Sequence, residues 1–350
     1  MRATVGIGTV ACLGLFVAMA ASVAAQRSPS PPEPTAAADA TARIVASAQA
    51  LLATLDEAGR AKVQFPRDSP QKSRWSNLPT GIFKREGLRL GDLTPAQRTA
   101  AMALLSTAFS PDGYRKVVEI MHGDEVLRER AGGGGPGGGR VTFGEDEYYL
   151  AFLGVPSVSA PWMLQFGGHH LALNLTLVGR RATLAPSHTA AQPASYSFEG
   201  RTVRPLGDEN DRAFALMATL DAAQRSQAIL GYSVSDLVLG PGHDGQTIQP
   251  EGLRASALSA SQQTMLMDLV REWTGIAHDA FAAPRMDEIR ASLPQTYFAW
   301  SGPTTAGSAA YFRIQGPALV IEYAPQRGVD HIHTIYRDPT NDYGARFARE

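Results

Sequence analysis

The chain has 350 residues, enough for two ordinary domains or one large bilobed domain. Its 32 lysines and arginines nearly balance its 33 aspartates and glutamates, which gives a formal net charge of −1. Because phosphate binding needs a concentrated basic surface, this balance argues against a nucleic-acid partner. A small molecule or a metal ion is the expected ligand.

Residues 1–25 are predicted to be a secretory signal peptide, with a positive charge at Arg2, an apolar stretch and small residues at 23–25. An uncleaved membrane anchor is the alternative, but the stretch contains glycines and is short for a span of about 20 residues. We therefore expect a periplasmic or extracellular protein without a membrane span in the mature chain. The only cysteine, Cys12, leaves with the signal, which excludes disulfides and thiol chemistry.

Residues 26–40 are rich in proline, serine and alanine and are predicted to be a disordered linker. The fold is expected to begin near Thr41. Helical periodicity covers roughly residues 41–62 and returns at 94–109. The second of these helices starts with a capping box, in which the side chains of Thr94 and Gln97 bond the free amides of the first turn.

The chain repeats part of its own sequence. ALLATLDEAGR at 50–60 returns as ALMATLDAAQR at 215–225, and the capping box returns at the same offset as Ser259 and Gln262. Self-similarity at a constant offset indicates an internal duplication. We predict a first α+β repeat over residues 41–190 and a second over residues 205–350.

Each predicted repeat places its strands after its helices. In the first repeat the strands cover 148–154, 161–168 and a segment through Leu177. In the second they cover 297–303, 311–316 and 318–323. The predicted fold class is therefore α+β, with two tandemly duplicated helix-then-antiparallel-sheet units that pack as a pseudo-symmetric bilobed fold.

Histidines cluster in or beside predicted strands of both repeats. In a strand, residues i and i+2 share a face, so His331 and His333 point together while His169 and His170 point apart. In the strand that follows, Leu171, Leu173, Leu175 and Leu177 form one face and Ala172, Asn174 and Thr176 form the other. We expect His170 to lie on the second, polar face. His170, His331 and His333 are the predicted metal ligands, a three-nitrogen set that suits zinc, copper or iron as the cofactor. An ordinary hydrogen-bonded histidine cluster is the alternative.

Polar residues around the second histidine pair are the candidate catalytic groups. Glu322 is a candidate to complete the site or to act as a base. Arg337 is a candidate to hold an anionic ligand, and Asp338 or Asp342 to orient a histidine. The alternative is that residues 336–344 form a turn-rich closing loop.

Long motifs in both repeats resemble one known family. They are YLAFLGVPS at 149–157, PWMLQFGGHH at 161–170, YFAWSG at 297–302 and DHIHTIYRDPTNDYG at 330–344. These segments are similar to the domain-of-unknown-function family numbered 3500. The resemblance covers nearly all of the mature chain and implies a secreted protein built from a single family, without a mechanism.

The leading hypothesis from the residues is a secreted protein with a histidine-rich site between two duplicated halves, which uses a transition metal for hydrolytic or redox chemistry. The alternative is a non-catalytic extracytoplasmic protein that binds a metal ion, or a small ligand in a cleft lined by aromatic residues such as Trp75, Trp162 and Trp300. A third reading is a structural envelope component, in which the histidines are scattered and individually satisfied.

Overall fold

The computed structural model describes residues 1–3, 36–130 and 141–348. The chain divides into two units, Met1–Glu33 and Pro34–Glu350, and the architecture described below belongs to the second. Most of the predicted signal peptide and residues 26–35 of the predicted linker lie outside the described residues. The first helix begins at Ala36, before Thr41, and the buried Ala40 side chain belongs to its core-facing stripe.

Eight α-helices occur in the described residues. They are α1 (Ala36–Ala53), α2 (Glu57–Val63), α3 (Pro95–Ala108), α4 (Pro111–Arg130), α5 (Gly207–Thr219), α6 (Ala222–Ala228), α7 (Ala260–Thr274) and α8 (Asp279–Ser292). Asp56 divides the helix predicted over 41–62, because its side chain accepts from the Gly59 amide and starts α2. The two predicted capping boxes form at the starts of α3 and α7. None of these helices has the length and apolar character that crossing a bilayer requires.

The strands are β1 (Gln64–Phe65), β2 (Leu88–Arg89), β3 (Tyr149–Leu153), β4 (Trp162–Gly168), β5 (Leu171–Val178), β6 (Arg181–Thr183), β7 (Ser187–Ala191), β8 (Tyr196–Phe198), β9 (Arg201–Val203), β10 (Leu253–Arg254), β11 (Tyr297–Ser301), β12 (Tyr311–Gly316), β13 (Leu319–Pro325) and β14 (Ile332–Arg337). Short 3-10 helices at 70–73, 90–92, 145–147, 255–257, 293–295 and 342–348 complete the described elements. The combination of helices and a mixed sheet makes this an α+β fold.

Strands from both halves form one continuous sheet of twelve strands, in the order β1-β3-β4-β5-β7-β14-β13-β12-β11-β10, with β2 and β6 beside it. The prediction of a separate small sheet in each half is therefore wrong. The central strand β7 pairs with β5 on one side and with β14 on the other. Its sequence, Ser-His-Thr-Ala-Ala, lacks the apolar alternation that marks a strand, so the joining strand was not predicted.

The two faces of the sheet differ in what covers them. On β5, alternate leucines such as Leu171 and Leu173 are buried in a hydrophobic cluster with residues of α1 and α3. The opposite face is more polar, and the segment between β1 and β2 covers part of it. There Gln71 donates to Gln165 at 2.8 Å, and Trp75 packs against Ile335. His188 of β7 lies beside Trp75, with ring centroids 6.5 Å apart.

Candidate metal centre

The centre of the sheet brings the two histidine groups together. Ala190 of β7 pairs in register with His333 of β14, and its amide donates to the carbonyl oxygen of His170 at 2.8 Å. His170, Ala190 and His333 therefore lie side by side, with Ala190 in the middle. Because alanine carries only a methyl group, the imidazoles on either side of it have room to approach each other.

His170 does not lie in a strand. With His169 it forms the two-residue turn between β4 and β5, and its φ of +64° lies in the left-handed region that non-glycine residues rarely adopt. The two rings stack with centroids 3.6 Å apart, so the expectation that they point apart is wrong, because it assumed strand geometry. Their contacts still differ, since His169 bonds Asp124 of α4 and His170 faces the second histidine pair.

Three imidazole nitrogens converge at this point. Nε2 of His331 lies 3.0 Å from Nε2 of His170 and 2.9 Å from Nε2 of His333. His170 and His333 are buried, and His331 is half-buried. The three ligand atoms all lie within 4.8 Å of one another, a grouping that could hold a metal ion.

Hydrogen bonding alone does not satisfy this arrangement. A ring nitrogen of a neutral imidazole carries either one proton or one lone pair in the ring plane. Nε2 of His331 can therefore make one well-aligned hydrogen bond, yet it lies within 3.0 Å of two other ring nitrogens. A cation between the three rings would use one lone pair from each of them.

The environment favours neutral rings. Burial lowers the pKa of His170 well below its ordinary value, and the neighbouring imidazoles lower it further. Burial also lowers the pKa of His331 to about 4, with His333 and His169 contributing in the same direction. At neutral pH these two rings are uncharged, which is the form that binds a metal.

Carboxylates contact the outer side of the cluster. Oδ1 of Asp236 lies 3.4 Å from Nδ1 of His333, and the buried Asp124 lies 2.5 Å from Nδ1 of His169. A partner such as Asp236 orients a ligating imidazole by holding the proton on its other nitrogen, whereas Asp124 acts on His169, whose ring stacks on His170. Neither aspartate was predicted. Asp124 carried a usable signal, because it lies on the buried stripe of α4 with Val117, Ile120 and Met121.

His188 is a further buried histidine beside the cluster. Its ring centroid lies 5.6 Å from that of His333 and 6.5 Å from that of Trp75. Neither of its nitrogens has a hydrogen-bond partner among the described residues. Burial lowers the pKa of His188 well below its ordinary value, so this ring is also neutral.

The four predicted catalytic residues bond to other groups. Glu322 is fully buried and accepts from the amides of Val238 and Leu239 and from the hydroxyl of Tyr311. These bonds tie the loop before β10 to β13. None of the three partners is a histidine of the cluster.

Arg337, Asp338 and Asp342 belong to a network at the end of β14. Arg337 donates to Asp342 and to Asp244, at 2.9 Å in each case. Asp338 forms an ion pair with Arg285 at 3.1 Å. The structure therefore brings the three predicted metal ligands together but gives these three residues partners of their own.

The aromatic residues considered for an organic-ligand cleft lie in hydrophobic clusters. Tyr148, Phe152 and Trp162 are buried in the first cluster, and Trp300 in the second. Trp75 packs over Ala172 and Ile335 in a third. Their apolar surfaces are used for packing within the protein.

A family model described as "Protein of unknown function (DUF3500)" matches residues 37–345. No curated protein and no solved structure matches the chain. The match covers all of the histidines and aspartates of the candidate metal centre.

Proposed function

Because the chain belongs to the DUF3500 family, whose description names no function, we propose its function from the histidine cluster: it binds a transition-metal ion through His170, His331 and His333. One observation carries the proposal. Nε2 of His331 contacts two other ring nitrogens at 2.9 and 3.0 Å but has only one proton or one lone pair to offer them.

The spacing of the nitrogens supports a bound ion. With metal–nitrogen bonds of ~2.0–2.1 Å, two ligands of a tetrahedral ion lie about 3.3 Å apart. The observed separations of 2.9 and 3.0 Å differ from this value by a few tenths of an ångström. Small rotations of the rings would open the cluster enough for zinc, copper or iron.

The surroundings of the ligands also support the proposal. Asp236 faces the nitrogen of His333 that lies away from the cluster. Asp124 anchors His169, whose ring stacks on His170. An outer carboxylate placed as Asp236 is placed is usual beside a metal-bound imidazole, and Asp124 supports His170 only through His169.

We propose that the metal site joins two duplicated lobes. The equivalent helices α2 and α6 both follow an aspartate cap. The pairing of Tyr149 with Gly167 in the first half has its counterpart in Tyr297 with Gln315 in the second. Separate hydrophobic clusters serve the two halves. Under this proposal the ligands come from both lobes and lie on either side of β7.

We propose export of the protein, on the basis of the charge, apolar stretch and small residues of segment 1–25. The metal site would then function in the periplasm or outside the cell. A site without thiolate ligands suits that location, because imidazoles do not oxidise as thiolates do.

Metal-dependent catalysis is the second candidate function, and the exposure of His331 favours it. This ring is half-buried, so a bound ion would be close to solvent and could activate a water molecule. Asp236, whose side chain is 59% exposed, is the nearest carboxylate described beside the cluster. The predicted roles of Glu322, Arg337, Asp338 and Asp342 in catalysis stay predictions, and the metal-binding proposal does not use them.

The test is elemental analysis of residues 26–350, purified without a histidine tag, beside the His331→Ala/His333→Ala double variant. We expect a near-stoichiometric transition metal in the wild-type protein and its loss in the variant. A His243→Ala/His278→Ala variant is the matched control, because neither of these histidines contacts the cluster. A folded wild-type protein that takes up no metal on reconstitution would contradict the proposal.

A further inference from the structure

We propose that Asn77 is the fourth metal ligand, through its side-chain oxygen, and that Arg85 is the residue that positions it. This inference rests on the proposed metal site and adds to it a neutral oxygen donor. It assigns a role in metal binding to the segment between β1 and β2, which also contains Trp75.

Asn77 contacts two of the three proposed ligands. Its backbone oxygen accepts from the amide of His170 at 3.3 Å. Its side-chain Nδ2 lies 3.4 Å from Nε2 of His333, close to the ~3.3 Å that separates two ligands of one tetrahedral ion. The asparagine side chain is therefore already at the distance of a neighbouring ligand.

The orientation of the amide decides what it can do. As oriented, Nδ2 would donate to the lone pair of His333 that the metal requires. Rotation by 180° about the Cβ–Cγ bond exchanges Nδ2 for Oδ1 with little change in shape, since the two atoms are nearly alike in size. After this rotation Oδ1 lies beside Nε2 of His333, and both atoms can coordinate the same ion.

Arg85 fixes the segment that carries Asn77. Its Nη2 lies 2.7, 2.6 and 2.6 Å from the carbonyl oxygens of Ser76, Leu78 and Gly168, and these three acceptors share its two N–H groups. Two of these carbonyls flank Asn77, and the third directly precedes the His169-His170 turn. One guanidinium thus ties the asparagine and the histidine turn to each other.

The placement of Arg85 is costly, which indicates a specific role. Its Nη1 is buried without a hydrogen-bond partner among the described residues, and burial lowers the pKa of Arg85 to about 10. The contacts of Nη2 are with backbone carbonyls rather than with a carboxylate. Burial outweighs the favourable charges of Asp124 and Glu147 near the guanidinium, so we infer that its contribution lies in the carbonyl groups that it holds in place.

The experiment is Co(II) titration of residues 26–350 followed by visible absorption, whose ligand-field bands report coordination number and donor type. Asn77→Leu removes the oxygen at similar size, and we expect a changed spectrum and affinity weaker by about tenfold or more. Asn77→Asp restores an oxygen donor and should recover the wild-type band pattern. Leu78→Ala, at the exposed neighbouring side chain, is the control and should match the wild type.

Arg85→Lys and Arg85→Met test the positioning role. We expect both variants to give the circular dichroism spectrum of a folded protein and an altered Co(II) absorption spectrum. The spectrum of Arg85→Lys should be closer to that of the wild type. An Asn77→Leu protein with the wild-type spectrum and affinity would overturn this inference and leave the three-histidine site standing. A wild type that binds no Co(II) would overturn the metal site itself, and this inference with it.

Discussion

Nε2 of His170, in the turn between β4 and β5, lies 3.0 Å from Nε2 of His331, which is 161 positions further along the chain. The contact exists because β7 and β14 pair at the centre of the sheet and place Ala190 between the two histidine groups. The candidate metal centre is thus a product of the way the two halves join.

Replacing His170 with asparagine should remove one ligand and keep the turn. Asparagine tolerates a positive φ better than most residues, and His170 has a φ of +64°. We expect metal affinity to fall by more than about tenfold, with thermal stability of the metal-free protein nearly unchanged. His170→Ala should lose the same affinity and also some stability. Metal titration and thermal unfolding of both variants check this, and unchanged affinity in either would contradict the ligand assignment.

Replacing Asp236 with asparagine should weaken metal binding through His333. The carboxylate faces Nδ1 of His333 at 3.4 Å, and loss of such a partner typically lowers affinity by about 10–100-fold. Because its side chain is largely exposed, we expect little change in the free energy of unfolding. Competition with a chelator measures the affinity. An effect on stability without one on affinity would show that Asp236 only supports its loop.

Replacing His188 with leucine should leave the metal content unchanged and raise stability. The imidazole is fully buried, and neither nitrogen has a hydrogen-bond partner among the described residues. An unsatisfied buried polar group costs about 1–3 kcal/mol, which an apolar side chain of similar size avoids. Denaturant unfolding of the metal-free proteins measures the difference. Loss of metal in this variant would instead make His188 part of the site.

Acid should destabilise the metal-free protein through the histidine cluster. Burial lowers the pKa of His331 from 6.5 to about 4, so the unfolded chain takes up a proton there before the folded one does. The stability that this group contributes is present above pH 6.5 and is lost as the pH falls toward 4. We expect the free energy of unfolding to decrease across that range, and to do so less steeply in His331→Gln. Equal slopes for the two proteins would be evidence against a buried neutral ring.

Replacing Glu322 with glutamine separates a structural role from a catalytic one. The carboxylate accepts from Val238, Leu239 and Tyr311, and hydrogen bonds to a charged group contribute about 1.5–3 kcal/mol each. We expect a lower thermal midpoint and an unchanged metal content. A variant of normal stability that had lost a metal-dependent activity would support the predicted role of Glu322 as a base.

The sequence predicted those helices and strands that a short local pattern marks. The capping boxes at Thr94 and Ser259 marked the starts of α3 and α7, and alternating leucines marked β5. Strand β7 carried no such signal, because His188 and its polar neighbours are buried only through pairing with strands on both sides. The single sheet therefore could not be predicted from local pattern.

The site was predictable only in part for a similar reason. The i, i+2 spacing of His331 and His333 indicated a shared face, and the polar side of β5 indicated His170. Asp236 and Asn77 lie in loops whose positions depend on tertiary contacts. No spacing in the sequence connects either loop with His333 of β14.

The most direct test of the metal site is an anomalous-difference map from crystals of residues 26–350 loaded with the metal that the protein retains. We expect one strong peak at about 2.0–2.1 Å from Nε2 of His170, His331 and His333. A map without a peak among these three nitrogens, from a protein that holds metal in stoichiometric amount, would contradict it.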